Sequence, residues 1–197
     1  SEIIERQVAQ LARLIPDHLD LSRISGGTLE LRRERLAWSE IVEAALDACD
    51  DEIRAKGHGL TTSLPPEPVD VEADRERLVQ VLCNLIGNAA KYTPPGGRID
   101  LAVAAVGTRV LEVSVRDNGI GIPVEMLPKV FDLFTQVDRT VSKAHGGLGI
   151  GLTLVRQLVE MHGGHVEARS AGPGQGSEFV IRLPLKEPLS LWHGVSG

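Results

Sequence analysis

Three segments between residues 84 and 152 are rich in glycine and asparagine, and they restrict the possible fold more than any other feature. They are 84–92 (NLIGNAAKY), 117–121 (DNGIG) and 146–152 (GGLGIGL). The first lies at the end of a predicted helix, the second follows a predicted strand and the third precedes a helix. We therefore expect a fold that brings these three segments together into one site.

The first 24 residues predict a stem helix. Its heptad a and d positions are occupied by Ile4, Leu11, Leu14 and Leu21. This pattern is typical of a helix packed in a bundle, so the segment could pair two copies of the chain. Pro16 removes a backbone donor and should kink the helix, His18 falls in the apolar seam, and the glycines at 26–27 end the helix.

After the stem helix, the periodicity of the apolar residues predicts a succession of helices and strands. An extended link over 29–36 leads to a helix with Ser39 as N-cap that ends at 56–57, and a later helix has Asp74 as N-cap and ends at 93–97. The remaining predicted elements are strands at 60–64, 69–71, 99–103 and 111–115, a short helix at 124–134, a helix at 150–161 and a hairpin from 166 to 181.

Charge and cysteine content exclude several classes. The net charge of -6 and the absence of a basic stripe argue against nucleic acid as a partner. Cys49 and Cys83 lack metal-ligand spacing and favour a reducing, cytoplasmic setting. No apolar run approaches the roughly 20 residues of a membrane span. Because the chain starts inside a helical pattern, we expect it to be part of a longer protein, which could be tethered to a membrane.

The first of the three segments, 84–92, carries Asn84, Asn88 and Lys91 at spacings of four and three residues, which places them on one stripe of a helix. Two amide oxygens can ligate a hard cation such as Mg²⁺, and a lysine can meet a phosphate. A solvated helix face explains the same stripe equally well when this segment is considered alone.

The second segment begins with Asp117, which has the strand parity of Leu111 and Val115, so its carboxylate should face the core. A buried carboxylate needs donors, and an adenine amino group could supply one. Gly119 and Gly121 would let the backbone approach a flat base. A simple turn after a strand remains the alternative.

The third segment can receive phosphates on exposed amides at the positive end of a helix dipole. It is neither a P-loop nor a dinucleotide fingerprint, because the lysine of the former and the glycine spacing of the latter are missing. His145, His162 and His165 flank glycines and are read as loop and cap residues rather than metal ligands.

Together and in this order, the segments resemble the ATP-binding part of sensor histidine kinases, within the wider family of gyrase-type, chaperone and mismatch-repair ATPases. Residues 84–92 resemble the N box and 117–121 the first glycine box. Residues 131–134 resemble the F box and 147–152 the second glycine box, and 176–179 (GSEF) is similar to a motif on the final hairpin. The resemblance extends over roughly residues 1–185.

This resemblance implies an α+β fold of the Bergerat type, a two-layer α/β sandwich in which one mixed sheet is covered on one face by three helices, preceded by the stem helix. It implies a partial dimerisation helix at 1–27 and a catalytic domain at 28–186. The residues after them, 187–197, are predicted to form a disordered tail. The polar segment 136–145 would be a mobile lid over ATP.

By resemblance, Asn88 would ligate Mg²⁺ with support from Asn84, Asp117 would bind the adenine amino group, and Arg139 and Lys143 in the lid would contact the terminal phosphate. The full set implied for ATP binding is Asn84, Asn88, Lys91, Tyr92, Asp117, Gly119, Gly121, Ile122, Lys143, Gly147, Leu148, Gly149, Gly151, Leu152 and Ser177.

The implied activity is transfer of the γ-phosphoryl group of ATP to a histidine, for relay to a response regulator receiver domain. Residues 20–24 (DLSRI) resemble the end of the second helix of the kinase dimerisation hairpin. The first helix, with the acceptor histidine, is missing, and His18 lacks its context. Two alternatives stay open: a nucleotide-sensing or dimerisation module without kinase activity, and an ATP hydrolase, in which a glutamate would stand at the position of Asn84.

Overall fold

The fold is that of a computed structural model, which describes residues 2–136 and 149–187. Its elements in chain order are α1 (Glu2–Ser25), β1 (Glu34–Ala37), α2 (Trp38–Ala55), β2 (Gly59–Ser63), β3 (Asp70–Ala73), α3 (Arg75–Tyr92), β4 (Arg98–Val106), β5 (Val110–Asp117), a 3-10 helix (Val124–Lys129), α4 (Gly151–Met161), β6 (His165–Arg169) and β7 (Ser177–Pro184).

A five-stranded mixed sheet forms one layer of the fold. Its order is β2-β4-β5-β7-β6, with β2 parallel to β4 and every other pair antiparallel. The second layer consists of α2, α3 and α4, with α3 in the middle because it packs against both other helices. The predicted sandwich of one mixed sheet and three helices is confirmed.

The core follows from the period-two pattern of the central strands. In β4 and β5, Leu101 lies opposite Val115 and Val103 lies opposite Val113, and all four side chains are buried. Apolar side chains on alternate residues therefore form rows on one face of the sheet, where α3 packs on both strands. The predicted hairpin is confirmed.

Three local predictions need correction. The predicted N-cap Ser39 lies inside the first turn of α2, because the N-cap is Ala37, whose amide donates to Glu40 Oε2 at 3.3 Å. The predicted helix over 124–134 is only a 3-10 helix ending at Lys129, since Pro128 cannot donate to the helical ladder. The predicted link and the predicted strand at 69–71 overlap β1 and β3, which form a separate two-stranded sheet that was not predicted.

The stem helix α1 is assigned continuously through Pro16. Leu21, predicted to share the apolar seam, packs instead into the core of the sandwich. An apolar stripe remains exposed along the helix at Ile4, Val8, Leu11, Ile15 and Leu19. Within the described ranges, no helix is long and apolar enough to cross a membrane.

A buried histidine joins the end of α4 to the start of α3. Asp74 is the N-cap of α3, as predicted, and accepts from the Arg77 amide at 3.2 Å. The Asp74 amide donates to Nε2 of His162 at 3.1 Å, and Nδ1 of His162 donates to the Leu158 carbonyl at 2.7 Å. His162 is therefore neutral with its proton on Nδ1, and burial lowers its pKa. It is the C-cap of α4, which agrees with its interpretation as a cap residue.

We expect the free energy of unfolding to fall as the pH drops below the ordinary histidine pKa of 6.5. Below that value the unfolded chain takes up a proton on His162 while the folded chain resists it, so stability is lost toward the lowered folded pKa. Urea unfolding between about pH 7.5 and about pH 5.5 should show a steeper loss for the natural chain than for His162→Gln, by up to roughly 1.4 kcal/mol per pH unit. Equal losses in both proteins would contradict this account.

Candidate nucleotide-binding site

A cavity of about 220 Å³ lies between α3, the turn after β5, the start of α4 and the start of β7. Its lining includes members of all three segments singled out in the sequence. The predicted site residues that line it are Asn84, Asn88, Lys91, Tyr92, Gly121, Ile122, Gly149, Gly151, Leu152 and Ser177. The fold therefore brings together residues that are up to 93 positions apart in the chain, as the difference between 177 and 84 shows.

Some predicted residues lie elsewhere. Asp117 and Gly119 are buried and do not line the cavity, but the Asp117 carboxylate contacts the lining through the hydroxyl of Ser177. Outside the described residues lie most of the predicted lid and four predicted residues, Arg139, Lys143, Gly147 and Leu148. Gln136, the first lid residue, lines the cavity.

Asp117 is a buried carboxylate at the end of β5, with 5% of its surface exposed. Its Oδ1 accepts from the Gly119 amide at 2.8 Å and its Oδ2 accepts from the Ser177 hydroxyl at 2.8 Å. Burial raises the pKa of Asp117, and these hydrogen bonds oppose the rise. Asp117 lies opposite Ile99 in β4 and Ser177 in β7, so the predicted inward parity is confirmed.

The α3 stripe supplies the polar wall of the cavity. Asn84, Asn88 and Lys91 are all half-buried. Nδ2 of Asn84 donates to the Gly151 carbonyl at 3.3 Å, so the side-chain oxygen of Asn84 is the atom left to accept or to ligate. Two amide oxygens suit Mg²⁺, which takes its remaining ligands from phosphates and water. The described residues contain no group of three or more acidic, histidine or cysteine side chains that could hold a metal.

Glycines permit the close backbone approaches around the cavity. Gly121 has a φ of 71°, and a Cβ there would lie 2.1 Å from the Gly172 carbonyl oxygen. A Cβ on Gly119 would lie 2.3 Å from the Tyr92 carbonyl oxygen. These approaches are between protein groups. That the backbone at the same glycines also lies close to a bound nucleotide base remains a prediction.

Hydrogen bonds anchor the start of α4 to residues 131–134. The Phe134 amide donates to the Gly149 carbonyl at 3.1 Å, and the Thr153 hydroxyl donates to the Phe131 carbonyl at 2.7 Å. The Phe131 ring meets Phe179 edge to face at 6.1 Å. The N-terminal turn of α4, at the positive end of the helix dipole, is thereby fixed beside the cavity.

Comparison with known proteins decides the family. Residues 73–187, more than half of the chain, match the family of histidine kinase-, DNA gyrase B- and HSP90-like ATPases. The chain belongs to this family. The three segments therefore lie in a histidine kinase-type ATPase domain, as the sequence resemblance implied.

The relatives of this ATPase domain are sensor kinases. The circadian input-output histidine kinase CikA of Synechococcus elongatus is 39% identical over 184 residues, which cover 91% of this chain and 24% of that kinase. The chain thus spans about a quarter of that relative.

Two solved structures are similar throughout the fold. Full-length ShkA in complex with AMPPNP has a TM-score of 0.78 at 28% identity, covering 90% of this chain and 36% of that one. The histidine kinase ThkA in complex with the response regulator TrrA has a TM-score of 0.70 at 25% identity, covering 90% of this chain and 49% of that one.

Sequence reasoning missed several lining residues of this ATPase domain. Ile120 and Ile150 are apolar residues next to predicted ones, Val130 is a further apolar residue, and Gly87 and Thr135 are small ones. Asp17 is the least expected, because it belongs to α1. Asp17 and Asp20 are three residues apart and lie outside the apolar stripe. That spacing was the signal for a second contact face on the stem helix.

The glycine geometry gives a matched test of the cavity wall. Gly174 has a φ of 76° like Gly121, but a Cβ there would meet nothing within 4 Å. Gly174→Ala should therefore lower the unfolding free energy by only about 1–2 kcal/mol, because the sole penalty is the left-handed backbone conformation. Gly121→Ala should cost about 1–3 kcal/mol more because of the overlap with Gly172. Chemical denaturation of the two variants checks this, and equal costs would refute the tight approach.

Proposed function

We propose that this chain is the catalytic ATP-binding part of a sensor histidine kinase, which transfers the γ-phosphoryl group of Mg-ATP to a histidine on a helix that the described fold does not contain. The observation that carries the proposal is one cavity lined by Asn84, Asn88 and Lys91 from α3 together with the first turn of α4. Membership of the ATPase family and the AMPPNP complex of the similar ShkA support ATP as the ligand.

The adenine end is assigned to the wall in front of Asp117. A carboxylate is an acceptor only, so it selects a base that offers an amino donor, as adenine does. Ser177 already donates to one carboxylate oxygen and lines the cavity, which fixes the carboxylate in position. Ile122 and Phe179 supply apolar surface for a flat ring.

The phosphate end is assigned to the wall formed by α3 and the start of α4. Asn88, with Asn84, would hold Mg²⁺ through amide oxygens, and the metal would neutralise charge on the phosphates when bound. Lys91 and Tyr92 would contact phosphates or ribose. The amides at the start of α4, next to Gly149 and Gly151, would receive phosphate oxygens at the positive end of the helix.

The reaction requires this chain to position the nucleotide, and it requires no covalent intermediate with the chain. A nitrogen of the acceptor imidazole forms the new N–P bond, the bond from the γ-phosphorus to the bridging oxygen breaks, and ADP leaves. Alignment of the acceptor and charge neutralisation are the contributions that the cavity can make.

We place the acceptor helix against the exposed stripe on α1. Ile4, Val8, Leu11, Ile15 and Leu19 present an apolar face with heptad-like spacing. An acceptor helix, or a second copy of α1 in a homodimer through residues 1–24, would bury it. We further propose that a receiver domain of a response regulator takes the phosphoryl group, as the ThkA–TrrA complex suggests. Cys49 and Cys83 form no disulfide, which fits a cytoplasmic setting.

The direct test mixes the purified chain with labelled ATP, Mg²⁺ and a separate two-helix acceptor domain carrying the histidine. We expect label on the acceptor domain and none on this chain alone. ATP binding without transfer would favour a nucleotide-sensing module, and rapid steady hydrolysis would favour an ATP hydrolase. Either result would overturn the proposed transfer.

Asp117→Asn should weaken ATP binding by about 10- to 100-fold, because the carboxylate is the acceptor for the adenine amino group and its loss leaves a buried mismatch of roughly 1.5–3 kcal/mol. Calorimetric titration with ATP measures this. Asp51→Asn removes an exposed carboxylate from α2 and should leave the affinity unchanged. Unchanged affinity in Asp117→Asn would remove Asp117 from the base site.

A further inference from the structure

Two carboxylates of the stem helix contact a polar stripe on α3. The Arg77 guanidinium donates to Asp20 Oδ2 at 2.8 Å, and both side chains are largely buried, at 16% and 13% exposure. Gln80 donates to Asp20 Oδ2 at 3.1 Å and to Asp17 Oδ1 at 3.3 Å, and accepts from Arg77 at 3.0 Å. The stem helix is thus fixed to the ATPase domain by a hydrogen-bonded network.

The network continues directly into the nucleotide cavity. Gln80, Asn84 and Asn88 follow one another at intervals of four residues, so they lie on one face of α3 with a rise of about 6 Å per step. Asp17, held by Gln80, lines the same cavity as Asn84 and Asn88. A carboxylate of the stem helix therefore lines the same cavity as the amides assigned to the cation.

We propose that Asp17 is a specificity-determining residue of the nucleotide site, which favours the magnesium complex of the nucleotide over the free nucleotide. This inference rests on the proposed function. A fixed negative charge at this wall attracts the divalent cation, directly or through its water shell, and repels phosphate oxygens that arrive without a cation. The two amides cannot make that distinction by charge, because they are neutral.

The position of Asp17 gives its charge this effect. Asp17 is half-buried, so its field is screened less than that of an exposed carboxylate. The Gln80 amide that holds it is neutral and leaves its charge in place. Asp20, by contrast, is paired with the Arg77 guanidinium, which offsets its charge.

The test is the ratio of ADP affinities measured by calorimetry with Mg²⁺ and with a chelator, using the full chain. Asp17→Asn keeps an oxygen acceptor for Gln80 and removes only the charge. We expect its ratio to fall about tenfold, with weaker binding in Mg²⁺ and stronger binding in chelator. Asp47→Asn, an exposed α2 position with the same change of net charge, should keep the natural ratio.

The outcomes separate the two proposals. If Asp17→Asn keeps the natural ratio, or lowers both affinities equally, Asp17 is only a structural contact and the inference fails while the proposed function stands. If the natural chain binds no ADP under either condition, the proposed function fails and the inference fails with it. Thermal unfolding without nucleotide confirms that each variant is folded before titration.

Discussion

The burial of one carboxylate imposes the geometry on which the whole cavity depends. Asp117 lies on the core face of the sheet, where an unpaired carboxylate would cost several kcal/mol. Its two partners, the Gly119 amide and the Ser177 hydroxyl, tie the end of β5 to the turn that follows it and to the start of β7. The same turn is then fixed against α3, because the Ile120 amide donates to the Tyr92 carbonyl at 3.1 Å. Two strand ends and one helix end are thereby held around a single space.

The central helix α3 links this space to the stem. Its apolar face is in the core, and its polar stripe runs from Arg77, which meets the stem helix, to Lys91 at the cavity. The stem is therefore a neighbour of the cavity as well as a surface for another helix. Any rearrangement of α1 that displaced Asp17 would change the charge at the proposed nucleotide site, and by linkage nucleotide binding there would act back on α1. In an ATPase domain built in this way, one helix connects the two surfaces.

Local periodicity and caps were enough to predict most of the fold. The alternation around Val103 and Val113, the N-cap Asp74 and the inward parity of Asp117 each depend on residues close in sequence, and the structure confirms them. The pairing of β1 with β3 and the contact of Asp17 with Gln80 were missed because they join residues far apart, with no local signal for the partner. Leu21 shows the same limit. Its heptad position indicated an apolar contact, but not that the contact would be the core.

The central claim is that the cavity between α3 and α4 is a nucleotide site, and an NMR titration of the ¹⁵N-labelled chain with Mg-ADP tests it most directly. The account predicts that the largest amide shifts fall on Gly121, Ile122 and Gly151 around the cavity. Absence of shifts would contradict it. So would shifts concentrated at the separate polar cavity beside Arg23 and Arg32, which lies at the start of α3.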